Sequence, residues 1–143
     1  MFYNKARREG YYMKKDQKRD EVARIFRKFA RLGLARERLN PMRVYKIIDV
    51  CCAGKRSKLD MIAVYDTLRL LELNGDEEIA RAVREIYFST ASHRLAKNEI
   101  THRIRRFAVE NYCDERTVYR RLDKARSLFL ALRSKVGLLW DEE

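Results

Sequence analysis

Glycine and proline are scarce in this sequence, with five and one among 143 residues. A β-sandwich needs such residues at short intervals to turn the chain, so their scarcity argues against that class of fold. The common residues are Ala, Leu, Arg, Lys and Glu, which all favour helices. Hydrophobic residues make up 46% of the chain, enough to bury an interior. We therefore predict an all-α fold, a helical bundle.

Cysteine and histidine are also rare. Cys51, Cys52 and Cys113 are too few and too unevenly spaced for a disulfide framework or a zinc cage, so we expect buried free thiols. His93 and His102 have no nearby acid in the order of a catalytic triad, and no glycine-rich phosphate loop is present. The sequence thus predicts no metal, no cofactor and no enzymatic activity.

Long hydrophobic runs are missing. No apolar stretch approaches the roughly 18–20 residues that a membrane span needs. The N-terminal residues lack the apolar segment of a secretory signal. The expectation is a cytoplasmic protein without a membrane partner.

Negative charge is low relative to positive charge, with 21 acidic against 33 basic residues and a net charge of +12. Residues 1–58 hold 18 Lys and Arg against 6 Asp and Glu, residues 59–92 hold 3 against 7, and residues 93–143 hold 12 against 8. Such an excess favours a polyanionic partner, because each neutralised phosphate releases condensed counterions. The alternative is a well-solvated basic surface.

Apolar residues recur at helical spacing along most of the chain after residue 15. The pattern predicts six helices: 16–39, a second from Pro41 through Cys51, a third ending at Leu73 before Asn74-Gly75, a fourth from Asp76 to about Tyr87, a fifth over 98–111, and a sixth from Asp114 to about Lys135. We divide them into a basic helical N-terminal region, residues 1–75, and a helix-turn-helix DNA-binding region, residues 76–143.

The first predicted helix carries basic side chains outside its apolar stripe. We expect these to face solvent, where they would either extend contacts along a DNA backbone or border a homodimer interface. The residues are Arg24, Arg27, Lys28, Arg31, Arg36 and Arg38.

The run FAVENYCDERTVYRRLDKA, residues 107–125, meets the physical requirements of a helix-turn-helix. Two steeply crossing helices need a small residue where they approach, which Ala108 supplies. Cys113 provides an apolar side chain for the turn, and Asp114 an oxygen that caps the next helix. One face of that helix is apolar: Val118, Leu122, Ala125, Phe129 and Leu132.

The opposite face has the composition of a surface that reads DNA. Arginine forks onto guanine in the major groove, and Thr or Tyr reaches base edges or phosphates. Because the first turns of a recognition helix enter the groove deepest, we predict base readout by Arg116, Thr117, Tyr119 and Arg120. The predicted phosphate contacts are Arg121, Lys124, Arg103, Arg106 and Lys97. The alternative is a solvated basic face on a surface helix.

The run DERTVYRRLDKA resembles the recognition helix of helix-turn-helix domains like region 4 of sigma factors. Together with REIYF, NEITHRIRRF and a late tryptophan, it resembles phage-encoded transcriptional regulators of the ArpU type over about residues 80–140. The resemblance implies promoter or operator binding and contact with RNA polymerase. Two positions depart from it, since Tyr112 stands where such turns usually carry glycine and Asn111 where an apolar residue is usual.

Two functions remain open at this point. The first is a sequence-specific transcription regulator of phage or prophage type that binds double-stranded DNA. The second is a DNA-binding assembly or packaging protein, like a small terminase subunit, without a regulatory role. A preferred DNA sequence would favour the first, and weak sequence preference with a ring-sized mass would favour the second.

Overall fold

The computed structural model of the chain describes residues 19–36 and 40–141, with side chains up to residue 137. The described part is all-helical and contains no strand, as predicted. Its helices are α1 (19–31), α2 (Pro41–Cys51), α3 (Lys55–Leu73), α4 (Glu77–Val83), which continues as a π-helical segment (Arg84–Phe88), α5 (Glu99–Glu110) and α6 (Glu115–Asp141).

α1 ends at residue 31, so the prediction of a helix up to residue 39 was wrong. Gly33 adopts a left-handed conformation with φ 78°. Its amide bonds to Ala30 O at 3.0 Å, and the Leu34 amide bonds to Phe29 O at 3.3 Å. These two bonds form a Schellman motif, which satisfies the last carbonyls of the helix and turns the chain away. Arg38 lies outside the described residues.

The same motif ends α3, where sequence did predict the stop. Gly75 has φ 76° and donates to Glu72 O, while Asp76 donates to Leu71 O at 2.8 Å. Glycine adopts positive φ without steric cost, so both helix ends have the residue that the motif prefers. The predicted boundary between residues 75 and 76 falls in this turn.

α6 is the central element of the bundle. It packs against α3, α4 and α5, and α2 lies on the outside against α3. It extends to Asp141, beyond the end predicted near Lys135. Arg133 on α6 donates to Asp60 on α3 at 2.8 Å, which links the second half of α6 to the start of α3. None of the described helices combines the length and the apolar character of a membrane span.

A single hydrophobic core runs through all six helices. Its aromatic centre joins α1 to residues far along the chain, because Phe26 lies 5.7 Å from Tyr87 and 5.4 Å from Phe129, centroid to centroid. Phe29 stacks on Phe88 at 5.8 Å. The core therefore crosses the boundary between the two predicted regions.

Arg27 corrects the prediction that the basic residues of α1 face solvent. It is buried, and one guanidinium nitrogen donates to the carbonyls of Thr90 at 2.7 Å and His93 at 2.8 Å. Burial, followed by repulsion from Arg31, lowers the pKa of this guanidinium from its ordinary value. Arg27 thus ties α1 to the loop after the π-helical segment, whereas Arg24 and Arg31 are exposed.

The π-helical segment interrupts the regular helix predicted up to Tyr87. The Ser89 amide bonds to Arg84 O at 3.0 Å, five residues back rather than four. The Glu85 carbonyl then accepts bonds from the Ser89 hydroxyl and from Arg103 Nε, the latter at 3.2 Å. This bond attaches α5 to the end of α4.

All three cysteines are free, but they differ in environment. Cys52 is buried and Cys113 is partly buried against the core. Cys51 is exposed, so the expectation that it is a buried thiol was wrong. It is the last residue of α2.

Candidate nucleic-acid interface

The turn between α5 and α6 is short and internally hydrogen-bonded. Tyr112 adopts a left-handed conformation with φ 53°, and its amide bonds to Val109 O at 3.4 Å. The Cys113 amide bonds to Ala108 O at 3.0 Å, which completes a third Schellman motif. Asn111 stands where an apolar residue was expected and donates its side-chain amide to Phe107 O at 2.8 Å. The polar residue is accommodated because it satisfies a carbonyl at the end of α5.

Asp114 caps α6, as the sequence suggested. Its carboxylate accepts bonds from the Thr117 amide at 2.8 Å and from the Thr117 hydroxyl at 2.9 Å. The backbone bond, then the hydroxyl bond, holds the pKa of Asp114 below its usual range, and the nearby charges of Arg116 and Arg120 act in the same direction. The first turn of α6 is thereby fixed by a charged cap.

The inward face of this unit matches the predicted stripe. Ala108 is buried where α5 approaches α6, and it leaves room for a close contact between them. Leu132, the last predicted member of the stripe, is only partly buried. The other four are buried: Val118, Leu122, Ala125 and Phe129.

Three basic residues follow one another at four-residue spacing on the outward face of α6. Arg116, Arg120 and Lys124 are all exposed. Since residues four apart lie on the same face of a helix, their side chains form a continuous line. None of the three forms an ion pair with a carboxylate in the described part of the chain. Their charges are available to a ligand.

The other two predicted base-reading residues flank this line. Thr117 is half-buried, and its hydroxyl hydrogen is used in the bond to Asp114. Tyr119 is 38% exposed and lies at a cleft of about 410 Å³ between α1, α5 and α6. Arg19 and Arg24 of α1 line the same cleft. The structure thus brings two cations of α1 close to the side of α6 that carries Tyr119.

The predicted phosphate-binding residues are distributed differently. Arg121 pairs with Glu78 of α4 at 3.2 Å, and Arg106 pairs with Glu110 at 3.0 Å. Arg103 donates to the Glu85 carbonyl and also to the Ser89 hydroxyl, which anchors it in the bundle. Lys97 is exposed in the loop before α5, and Lys124 is the member of the set on the outward line of α6.

Sequence reasoning assigned no role to three exposed residues beside the turn. Tyr112 is 97% exposed and Val109 is 76% exposed. Arg105 projects from α5 toward Glu115 at the start of α6, with its Nε 3.5 Å from a carboxylate oxygen. The contact of Arg105 with the first turn of α6 joins two helices, so it is seen only in the fold.

His93 belongs to the loop before α5. In the described part of the chain, no three side chains of His, Cys, Asp and Glu gather as metal ligands would. His93 is exposed and lies 2.6 Å from Glu99, whose carboxylate also accepts from the Ala96 amide at 3.1 Å. The bond with His93, then that with Ala96, lowers the pKa of Glu99. This pair closes the loop that precedes α5.

The start of α6 thus combines a capped end, a buried inner face and an exposed line of cations. In comparisons with protein-family models, curated proteins and solved structures, nothing matched this chain.

Proposed function

We propose that the chain is a sequence-specific, double-stranded DNA-binding transcription regulator of phage type, which inserts the first turns of α6 into the major groove. The observation that carries the proposal is the line of Arg116, Arg120 and Lys124, exposed and without an ion pair to any described carboxylate. This line begins at the capped end of α6, whereas Arg121 and Arg106 pair with Glu78 and Glu110.

The fixed geometry of the helix supports readout of base edges. Bidentate contacts from arginine to guanine demand a defined approach, because two hydrogen bonds must form at once. The Asp114 cap and the buried stripe hold the first turn of α6 in one position. We assign Arg116 and Arg120 to bases and Lys124 to a phosphate.

Three of the remaining predicted contacts take supporting roles in this proposal. Arg121 reaches a phosphate only by leaving Glu78, so its net contribution is small. Thr117 contributes its hydroxyl lone pairs, because its hydrogen is directed to Asp114. Tyr119 lies at the cleft with Arg19 and Arg24, and we assign it to the DNA backbone rather than to the bases.

The test is selection of bound duplexes from a random pool, followed by titration of the selected duplex at several salt concentrations. We expect an enriched sequence and a slope of log K against log salt that steepens by about 0.9 for each phosphate contacted. Enrichment without sequence preference, from a ring-sized oligomer, would favour the assembly or packaging function instead. A slope near zero would remove the electrostatic argument for both of these functions.

Single substitutions separate the assigned roles. Arg116→Ala and Arg120→Ala should each relax the preference at one base pair, at a cost of about 1–3 kcal/mol there. Lys124→Ala should weaken all sequences alike and reduce the salt slope by about 1. Arg43→Ala is the matched control, since Arg43 is exposed on α2 and its substitution removes the same charge from a different helix. If all four variants shared one selectivity profile, the assignment would be wrong.

A further inference from the structure

Three helices of this chain end in the same backbone motif, and one of them ends with an unexpected residue. The left-handed position is Gly33 after α1, Gly75 after α3 and Tyr112 after α5. In each case its amide bonds three residues back and the next amide bonds five residues back. A side chain with a β-carbon is disfavoured at positive φ, and glycine is not. The chain therefore uses tyrosine where its own two equivalent turns use glycine.

Packing does not compensate for that strain. Tyr112 is 97% exposed, and its ring forms no aromatic contact with another described residue. Removing the ring would take almost no buried area from the fold. Strained residues cluster at functional sites, and no burial within the described fold accounts for the strain at Tyr112.

The surroundings of Tyr112 indicate what it contacts. It lies in the turn before α6, four residues before the exposed Arg116. Val109, 76% exposed, precedes it at the end of α5, and Arg105, one turn earlier on that helix, pairs with Glu115. Acidic residues also flank the turn, and Arg116 is the nearest exposed cation in sequence without an ion pair to a described carboxylate. An exposed aromatic and an exposed aliphatic side chain close to that arginine suit a polyanion that also offers apolar groups at its base edges. The thymine methyl is such a group in the major groove of DNA.

We infer that Tyr112 is a specificity-determining residue, which reads a base pair next to the one contacted by Arg116 through apolar contact with a thymine methyl. This inference rests on the proposed binding of α6 to duplex DNA. It commits to DNA as the occupant because Tyr112 lies in the turn just before α6, where Arg116 begins the line of cations that have no ion pair to a described carboxylate. A protein partner would leave that line unused.

The experiment compares Tyr112→Gly and Tyr112→Ala with the unchanged full-length chain. Each is used in selection from the random duplex pool and in titration of the selected duplex. Both variants should lose the preference at one position of the selected sequence, keep it elsewhere, and bind the selected duplex about tenfold more weakly. Thermal unfolding should meanwhile show a higher Tm for Tyr112→Gly, because the strain is relieved.

Two further variants fix the interpretation. Tyr112→Phe keeps the apolar ring and should keep the preference. Leu73→Ala removes an exposed apolar side chain, 75% exposed, from the far end of α3 and should change nothing. If the substitutions weakened binding to all DNA sequences equally, the inference would be overturned, since Tyr112 would then contact the DNA backbone. Unchanged binding would overturn it too. If the unchanged chain selects no preferred sequence, the proposed function is contradicted. If the unchanged chain selects a sequence and the Tyr112 variants select the same one, only the inference about Tyr112 is contradicted.

Discussion

Asp114 does two things with one carboxylate: it ends the turn and fixes the first turn of α6. Because hydrogen bonds from Thr117 depress its pKa, its contribution to stability is fully present above the ordinary carboxyl pKa of about 3.9. That contribution is lost as the pH falls through the depressed value in the folded state.

Asp114→Ala should lower the Tm at neutral pH, because the Thr117 amide loses its acceptor. Asp114→Asn keeps a capping oxygen but cannot titrate, so its Tm should approach that of the unchanged chain as the pH falls from 5 to 2. The measurement is thermal unfolding followed by circular dichroism. A constant difference between the Asn variant and the unchanged chain over that range would show that the carboxylate charge has no role.

Arg27 is the residue at which sequence reasoning failed most clearly. Its spacing from Phe26 and Phe29 allowed an outward orientation, and arginine is mostly exposed in proteins. The carbonyls that bind it belong to Thr90 and His93, which are 63 and 66 residues away in sequence. No local pattern reports acceptors at that separation.

Arg27→Met should destabilise the protein by about 2–4 kcal/mol, because two carbonyls lose a charged donor while the apolar stem is kept. Arg24→Met is the matched control on the exposed side of α1 and should change stability by less than about 0.5 kcal/mol. Urea unfolding measures both. Equal effects of the two substitutions would contradict the structural role of Arg27.

Among the elements, α2 has the bounds that were predicted, and the start of α6 was predicted because its two faces differ so clearly in polarity. Val118, Leu122 and Phe129 recur at helical spacing, and Asp114 supplies a recognisable start. The π-helical segment was not predicted, since one extra residue per turn leaves the local apolar pattern of REIYF almost unchanged. The early end of α1 was signalled by Gly33, but the apolar residues on either side obscured it.

Neighbouring residues on α6 test the division between its faces. Phe129 is buried in the aromatic centre and Leu130 is 44% exposed. Phe129→Ala should destabilise the chain by about 3–5 kcal/mol, and Leu130→Ala by less than about 1 kcal/mol. Chemical unfolding measures the difference. Comparable losses would mean that the aromatic centre does not dominate the stability of the bundle.

At the scale of the whole molecule, a continuous core joins the two predicted regions. Phe26 of the basic N-terminal region packs on Tyr87 and Phe129, which belong to the second predicted region. The predicted division followed the distribution of charged residues, which lie on the surface. The core that joins the regions depends on contacts that composition does not reveal.

A fragment of residues 76–143 should therefore lack a cooperative thermal transition. It would expose the side of α6 that α3 covers, together with the faces of Tyr87 and Phe129 that Phe26 covers. Circular dichroism of the fragment beside the full chain measures this, with near-ultraviolet signals reporting aromatic packing. A sharp transition in the fragment would show that residues 76–143 form an independent folding unit.

The unbroken course of α6 has a mechanical consequence. At about 1.5 Å per residue, its 27 residues form a rod on the order of 40 Å long. The pair between Arg133 and Asp60 links its second half to α3. We therefore expect a tilt of the first turn to move α3 as well. In the proposed complex, the duplex rather than the protein would bend to achieve the fit.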